Sequence, residues 1–355
     1  MTSYLKNWTP DQFQSLEEEI LLARHTLHES GLFDDANLIR MIDRHPPQHL
    51  GINTMGFDEE ILEWREGHRN GVPADVLLNL VRTGRLWINL RNTLDHHPDV
   101  REAIDAIYDE LEANNRAFQA VDRSANLLIS SPGAIVHYHI DVPVNMLWHL
   151  RGKKRVWVYP PFDFHYVSQE VIEAVCSNEQ VEDVPYETMF DLGAKVFDVE
   201  PGQLLTWPQL TPHRVTNLEG LNVSLSTEHK NPRAKRRINV HLANQWLRRT
   251  FGLPCRSAEV NGPVAHAKQA LARCVRKGRR LLGTEVVRKN EYAVTFKVDP
   301  DAAFGFTLLD QPLPPKNRWL PEMFSGQLPA EALATEAAWP QHNQTKDTAT
   351  VATTA

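Results

Sequence analysis

The sequence predicts a mainly β protein with helical flanks, and three observations carry that expectation. From about Ala125 to His229 the chain runs in short apolar stretches broken by proline and glycine, among them ANLLISS, AIVHYHI, NMLWHL, KRVWVYP, QLLTWP and LNVSLSTEH. Many short strands between turn residues point to a sandwich or a barrel. Helical periodicity frames that stretch on both sides. Within it, His137, His139 and Asp141 fall on alternate residues of HYHID, and alternate residues of a strand share a face. Two imidazoles and a carboxylate on one face are not what an apolar core asks for. They describe a metal site inside a β-barrel.

Taken in order, residues 10 to 43 read as helical, opening at Thr9-Pro10 with apolar residues at helical spacing, and DDANLIRMIDRHPP reads as a second short helix that Pro46 and Pro47 stop. RLWINLRN (85–92) alternates Leu86, Ile88 and Leu90 against Trp87, Asn89 and Arg91, the period of a strand. HPDVREAIDAIYDELEANNRAF follows as an amphipathic helix. The β-rich stretch comes next, interrupted by a helical insertion at SQEVIEAVCSNEQVEDV. Beyond Lys230 the pattern returns to helix, with Val264, Ala267, Leu271, Cys274, Val275 and Leu282 expected on one apolar stripe. The expected organisation is therefore a helical region contributing edge strands (1–124), a barrel core (125–230), a basic helical region (231–324) and a disordered tail (325–355), the last from its small, polar composition.

Composition narrows the function classes. A formal charge of −7 and 42% apolar residues over 355 positions suit a globular chain of one large domain with additions, or of two. No apolar stretch approaches the roughly 18 to 20 residues of a membrane span, and the first residues do not read as a secretory signal. Cys176, Cys255 and Cys274 are far apart and form no CxxC pair, which argues against a disulfide framework and a thiolate zinc site. A cytoplasmic location is expected. The charge is uneven: sixteen Lys and Arg stand against two acids between Lys230 and Lys289. A basic face docked on an acidic surface, such as the other half of this chain, explains that better than nucleic acid, because the aromatic stacking residues of single-strand binders are missing.

The chemistry rests on three segments. His139 and Asp141, two apart, can converge on one ion. A distal histidine, His213, follows a Pro-Gly turn in EPGQLLTWPQLTPH, at the distance a chain needs to travel round a barrel and return. Two imidazoles and one carboxylate on a single face of an octahedron leave three positions open, the arrangement of non-haem Fe(II) oxygenases. Lys154 supplies a partly independent signal. It shares strand parity with Val156 and Val158, and an ammonium on an apolar face persists only beside an anion.

Together, H139-I-D141, G152-K-K154 and PGQLLTWPQLTPH213 resemble the JmjC, or cupin-like, branch of the Fe(II)/2-oxoglutarate-dependent oxygenases, over about Leu127 to His229. The resemblance implies a double-stranded β-helix barrel of the jumonji/cupin type. It implies His139, Asp141 and His213 as Fe(II) ligands, Lys154 on the distal carboxylate of 2-oxoglutarate, and Asn145 near the proximal one. The reaction implied is dioxygenase chemistry: 2-oxoglutarate and O2 are consumed and a substrate C–H bond is hydroxylated, the ligand Asp141 speaking against halogenation. Two positions depart from the family pattern. Val136 stands where a threonine often shares the distal carboxylate, and Gln203 replaces the aspartate of P-G-D.

His137 shares the metal-facing parity and is read as a structural or supporting residue, and His149, His165 and His241 as structural. Trp148, Trp157, Tyr159 and Trp207 are candidates to line the barrel without an assigned role. The alternative reading is a metal-binding cupin acting as sensor or scaffold without 2-oxoglutarate turnover, with His137 and His139 as an H-x-H pair; it leaves Lys154 unexplained. The substrate, protein, peptide or small molecule, is not named by these residues beyond a tilt toward an anionic one, and the C-terminal helices are expected beside the barrel or in a homodimer contact.

Overall fold

The computed structural model describes residues 3–55, 63–286 and 292–324, so the expected tail from 325 to 355 lies outside the described residues. In chain order the elements are α1 (Pro10–Ser15), β1 (Leu21–Arg24), α2 (Asp35–Arg44), β2 (Leu50–Thr54), β3 (Arg65–His68), α3 (Ala74–Thr83), β4 (Trp87–Leu90), α4 (Thr93–His96), α5 (Pro98–Asn114), β5 (Val121–Ser130), β6 (Ile135–His139), β7 (Val144–Val158), α6 (Gln169–Cys176), β8 (Lys195–Val199), β9 (Gln203–Thr206), β10 (His213–Lys230), α7 (Pro232–Phe251), α8 (Pro263–Leu281), β11 (Val294–Val298), β12 (Phe306–Leu313) and α9 (Pro321–Phe324). The strands pair in the order β1-β9-β7-β10-β5-β4-β2-β3-β11-β12, with β6 on β10 and β8 on β7. All pairs are antiparallel except β11 on β3. This is a double-stranded β-helix with helices packed around it.

Two long strands make the barrel. One half of β10 lies between β6 and β7, and the other half between β5 and β7. β7 likewise pairs with β9 through its first half and β8 through its second. Where the sequence reads two short strands, NMLWHL and KRVWVYP, a single strand bends at Arg151–Lys153 and its register with β10 shifts there. Gly152 permits the bend. It has φ +78°, and a Cβ on it would stand 2.7 Å from the Leu221 carbonyl oxygen, so no other residue fits.

The inward face of these strands forms a cluster of Leu147, Val156, Val158, Val199, Leu205, Trp207 and Val215. A larger core between sheet and helices takes up Leu38, Ile42, Leu77, Ile88, Ile104, Ile107, Leu127, Trp148 and Leu225. In α5 the buried residues Val100, Ala103, Ile104, Ile107 and Leu111 follow the expected helical spacing.

Three expectations are corrected. The N-terminal helix ends at Ser15, despite the apolar periodicity beyond it. Glu17 takes a left-handed backbone (φ 70°), where its carboxylate accepts from His229 and Asn231, and Leu21–Arg24 pairs with β9 as an edge strand. Tertiary pairing overrides local propensity here. The predicted stripe of α8 is buried only in part: Leu271 and Val275 pack against Leu242, Ala243 and Ala272, whereas Val264 and Leu282 are exposed and Ala265, Lys268 and Gln269 are buried instead. The helix sits close through small residues, and the buried polar ends bond to main chain, Lys268 Nζ to Ser257 O at 2.7 Å and Gln269 Nε2 to Val260 O at 3.0 Å. The region after Lys230 is also not wholly helical. β11 buries Val294, Phe296 and Val298 on alternate positions and joins β3.

The basic stretch divides in two. Cations at and around α7 pair with acids of this same chain: Lys230 and Lys235 with Asp122, Arg233 with Glu18, Arg248 with Glu170 and Glu173, and Arg249 with Glu179. On α8, Arg273 and Lys277 stay exposed.

Candidate metal centre

His213 opens β10 and lies directly opposite His139 on β6 and Val158 on β7. Directly opposed residues of an antiparallel pair share a face. The same register sets Val215 against Val156 and Asn217 against Lys154, so His139, His213 and Lys154 all point into the barrel. Asp141 follows β6, where its carbonyl accepts from Leu210 N at 3.2 Å. Its carboxylate approaches both rings, with Oδ1 3.8 Å from His139 Nε2 and Oδ2 3.4 Å from His213 Nε2. The three donor atoms lie within 4.8 Å of one another and can hold a metal ion. Donors each about 2.1 Å from one ion and cis to one another stand about 3 Å apart, so the arrangement is slightly open and closes by small side-chain rotations.

The hydrogen bonds around the donors set their chemistry. His139 Nδ1 lies 2.7 Å from His137 O, and His213 Nδ1 lies 3.0 Å from Thr211 O. A carbonyl only accepts, so each Nδ1 carries the proton and each Nε2 presents its lone pair to the centre. Burial, reinforced by the nearby His139, pushes the pKa of His213 well below its ordinary value and keeps the ring neutral. Asn145 Nδ2 donates to Asp141 Oδ2 at 3.0 Å and to Ser226 Oγ at 2.9 Å. The carboxylate is thereby turned toward the two imidazoles. Trp207 closes one side, its ring centroid 4.2 Å from that of His213.

Lys154 is 4% exposed. Among the described residues its ammonium has neither an ion-pair nor a hydrogen-bond partner, and burial pulls its pKa down to about 7. It stands four residues along the strand from the position facing His213, roughly 13 Å at ~3.3 Å per residue. An extended lysine side chain and a short dicarboxylate together span such a gap. Val136, partly buried, brings no hydroxyl to this interior and packs with the apolar cluster.

Some contributions were not legible in the sequence. His137 contributes its main-chain oxygen to the orientation of His139. Ser226 supports Asn145 from 81 residues away, which no spacing rule reveals. Asp183 forms a bridge with His139, so the helical insertion returns to the rim of the site. On the outer face of β10, Arg214 bonds Asp191 and stacks 3.5 Å over Trp157, and Asp191 also accepts from Tyr159 and Tyr186. That network pins the segment after β7 behind the metal-facing strand. The other aromatic candidates do not line the lumen: Trp148 lies in the large core with Nε1 on Thr227 Oγ1, and Trp157 and Tyr159 belong to the Arg214 network. His149 is held by Ser224 Oγ and Gly152 O.

Parts of the chain are similar to known proteins. The model of the cupin-like domain matches residues 63–232. No curated protein matches the chain. Among solved structures, the chain is similar to the X-ray structure of ycfD from E. coli at 14% identity, with 78% of this chain and 69% of that one covered and a TM-score of 0.46. It is similar to the structure of YcfD, a ribosomal oxygenase from Escherichia coli, with cobalt and 2-oxoglutarate, at 15% identity, coverage of 77% and 68%, and a TM-score of 0.41. It is also similar to DMSP lyase DddQ from Ruegeria pomeroyi DSS-3 at 10% identity, coverage of 31% and 39%, and a TM-score of 0.20. The span similar to the cupin-like domain, residues 63–232, includes His139, Asp141, Asn145, Lys154 and His213.

Proposed function

We propose that this chain is an Fe(II)/2-oxoglutarate-dependent oxygenase, a hydroxylase that couples 2-oxoglutarate decarboxylation to oxidation of a substrate C–H bond. The observation that carries this reading is the joint placement of two features on one inward face. One is a His-Asp-His triad with both Nε2 atoms presented; the other is the buried ammonium of Lys154, unpartnered among the described residues. A triad alone serves any metal-binding cupin. The triad with a buried cation at the far end of the lumen calls for a ligand that is chelating at one end and anionic at the other.

In this reading His139, Asp141 and His213 would hold the iron, and the metal would supply binding of cosubstrate and O2. Fe(II), bound with 2-oxoglutarate and O2, supplies the oxidation, which yields succinate, CO2 and a hydroxylated product. The residues of the chain position and enclose. Lys154 takes the distal carboxylate and so fixes the orientation of the cosubstrate. Asn145 turns Asp141 and stands beside the proximal end. Val156, Val158, Trp207 and Val215 keep the lumen dry, which strengthens every charge interaction within it. With Val136 in place of a hydroxyl, the distal carboxylate depends more heavily on Lys154.

Anaerobic titration with Fe(II) and then 2-oxoglutarate tests the reading through the visible charge-transfer band of the chelate. The band is expected in the wild type and absent in His139→Ala. Binding of Fe(II) without any band on adding 2-oxoglutarate overturns the reading in favour of a metal-binding cupin without turnover.

A further inference from the structure

A second buried cation lies on the outer side of the Asp141 segment. Arg237, on the second turn of α7, is 9% exposed. It lines a narrow, partly open cleft together with Glu17, Glu18, Val144, Phe162 and Gln209. The cleft shares a wall with the metal centre: Gln209 Nε2 donates to Val142 O at 2.6 Å, and Val144 directly precedes Asn145. Arg237 Nη1 donates to Gln209 Oε1 at 3.1 Å, and the guanidinium lies 4.2 Å over the ring of Phe162. Phe162 itself takes a left-handed backbone (φ 62°), an unfavourable conformation for a bulky residue that is held where function or packing demands it.

The acids nearby are already engaged. Glu17 serves His229 and Asn231, and Glu18 serves Arg233. Among the described residues Arg237 forms no ion pair with a carboxylate, although the Glu18 charge acts on it from the same cleft, and Gln209 takes one of its five N–H donors. A buried guanidinium with donors to spare is a strong receptor for a planar anion, and the N-terminal end of the 20-residue helix α7 adds favourable potential.

We propose that this cleft is an anion subsite, in which Arg237 takes a carboxylate or phosphate group of the molecule brought to the triad. The assignment rests on the triad being the reacting centre. It names the chemistry at one end of the substrate: a negatively charged group held beside the Asp141 segment.

Titration of the metal-free, full-length protein with inorganic phosphate, followed by calorimetry or 31P line width, tests it. The wild type is expected to bind phosphate, Arg237→Gln to bind at least tenfold more weakly, and Arg237→Lys to fall between. Gln209→Glu, which sets a carboxylate against the guanidinium without removing it, is expected to show the same loss as Arg237→Gln and covers the case in which that variant fails to fold. Competition by acetate separates a carboxylate receptor from a phosphate receptor. Phosphate binding equal to wild type in both variants, as binding on the basic face of α8 would give, overturns the proposal, as does absence of binding in the wild type. The chelate band is read separately on the same proteins, so failure here and failure of the oxygenase reading are distinguishable.

Discussion

His139 and His213 face each other directly across neighbouring antiparallel strands, with ring centroids 4.1 Å apart. Neither ring can turn away without giving up its Nδ1 bond to a main-chain oxygen, so the lone pairs are aimed before any ion arrives. Such preorganisation concentrates the effect of a single truncation. His139→Ala, Asp141→Ala and His213→Ala should each lower Fe(II) affinity by well over tenfold. An ion at 100 times its Kd adds about 2.7 kcal/mol to stability. The upward shift of Tm on adding Fe(II) or Co(II) should therefore be present in the wild type and lost in all three variants. A retained shift in any one would remove that residue from the ligand set.

Asn145 acts one step further out. Asn145→Ala removes the amide donor to Asp141 Oδ2 and to Ser226 Oγ. Loss of such a supporting bond lowers metal affinity by about 10- to 100-fold. Anaerobic calorimetry should find metal binding weakened yet measurable, in contrast to the triad variants. Affinity equal to wild type would mean that the bond does not orient the carboxylate.

Lys154→Met should separate the two ends of the lumen. Metal affinity is expected to stay unchanged, because the ammonium does not touch the triad. 2-Oxoglutarate affinity, read from the chelate band, should fall by at least tenfold, since a buried carboxylate loses the cation beside it. Without 2-oxoglutarate the variant should melt no lower than the wild type at pH 6, because an isolated buried charge is removed.

The same lysine sets a pH dependence. Its folded pKa of about 7 lies below the ordinary lysine value, so between about pH 7 and that value the unfolded chain binds more protons than the folded one. Stability of the ligand-free protein should therefore rise with pH across that window. Cosubstrate binding runs the other way. A carboxylate beside Lys154 favours the charged form, so binding above pH 7 takes up a proton, and 2-oxoglutarate affinity should fall by up to tenfold per pH unit. Titrations of the chelate band from pH 6.5 to 8.5 check the slope, which should vanish in Lys154→Met.

The triad was legible because its geometry is local or topologically simple. A two-residue spacing fixes His139 and Asp141 on one side of the strand, and a return strand after a Pro-Gly turn places His213. The inward parity of Lys154 with Val156 and Val158 is likewise a property of one strand. What escaped was set by distant pairing. Leu21–Arg24 has helical spacing, yet β9 offers it an open edge; Ser226 meets Asn145 only because β7 and β10 lie side by side. Arg237 lies within a run of basic residues that looks uniform in sequence, and only the fold separates it from neighbours whose charge is met by Asp122, Glu18 or Glu173. The length of β7 was hidden by Gly152, which reads as a break between two strands and is a bend within one.

That bend yields the sharpest structural prediction. Gly152 sits between Arg151, where β7 belongs to the half paired with β9, and Lys154, which faces the lumen. Gly152→Ala would combine an unfavourable left-handed backbone with a Cβ 2.7 Å from Leu221 O and 2.8 Å from Asn222 Nδ2, two contacts that the paired strands cannot easily relieve. Positive φ alone costs roughly 1 kcal/mol or more for a residue with a side chain, and the clash adds to it. Urea unfolding should show a loss of at least about 2 kcal/mol. If the bend also aims Lys154, Gly152→Ala should weaken 2-oxoglutarate binding more than it weakens metal binding, because the triad lies beyond the bend on strands that keep their register. Equal losses at both ends would show that the substitution disturbs the whole barrel and that Gly152 has no separate part in placing the lysine.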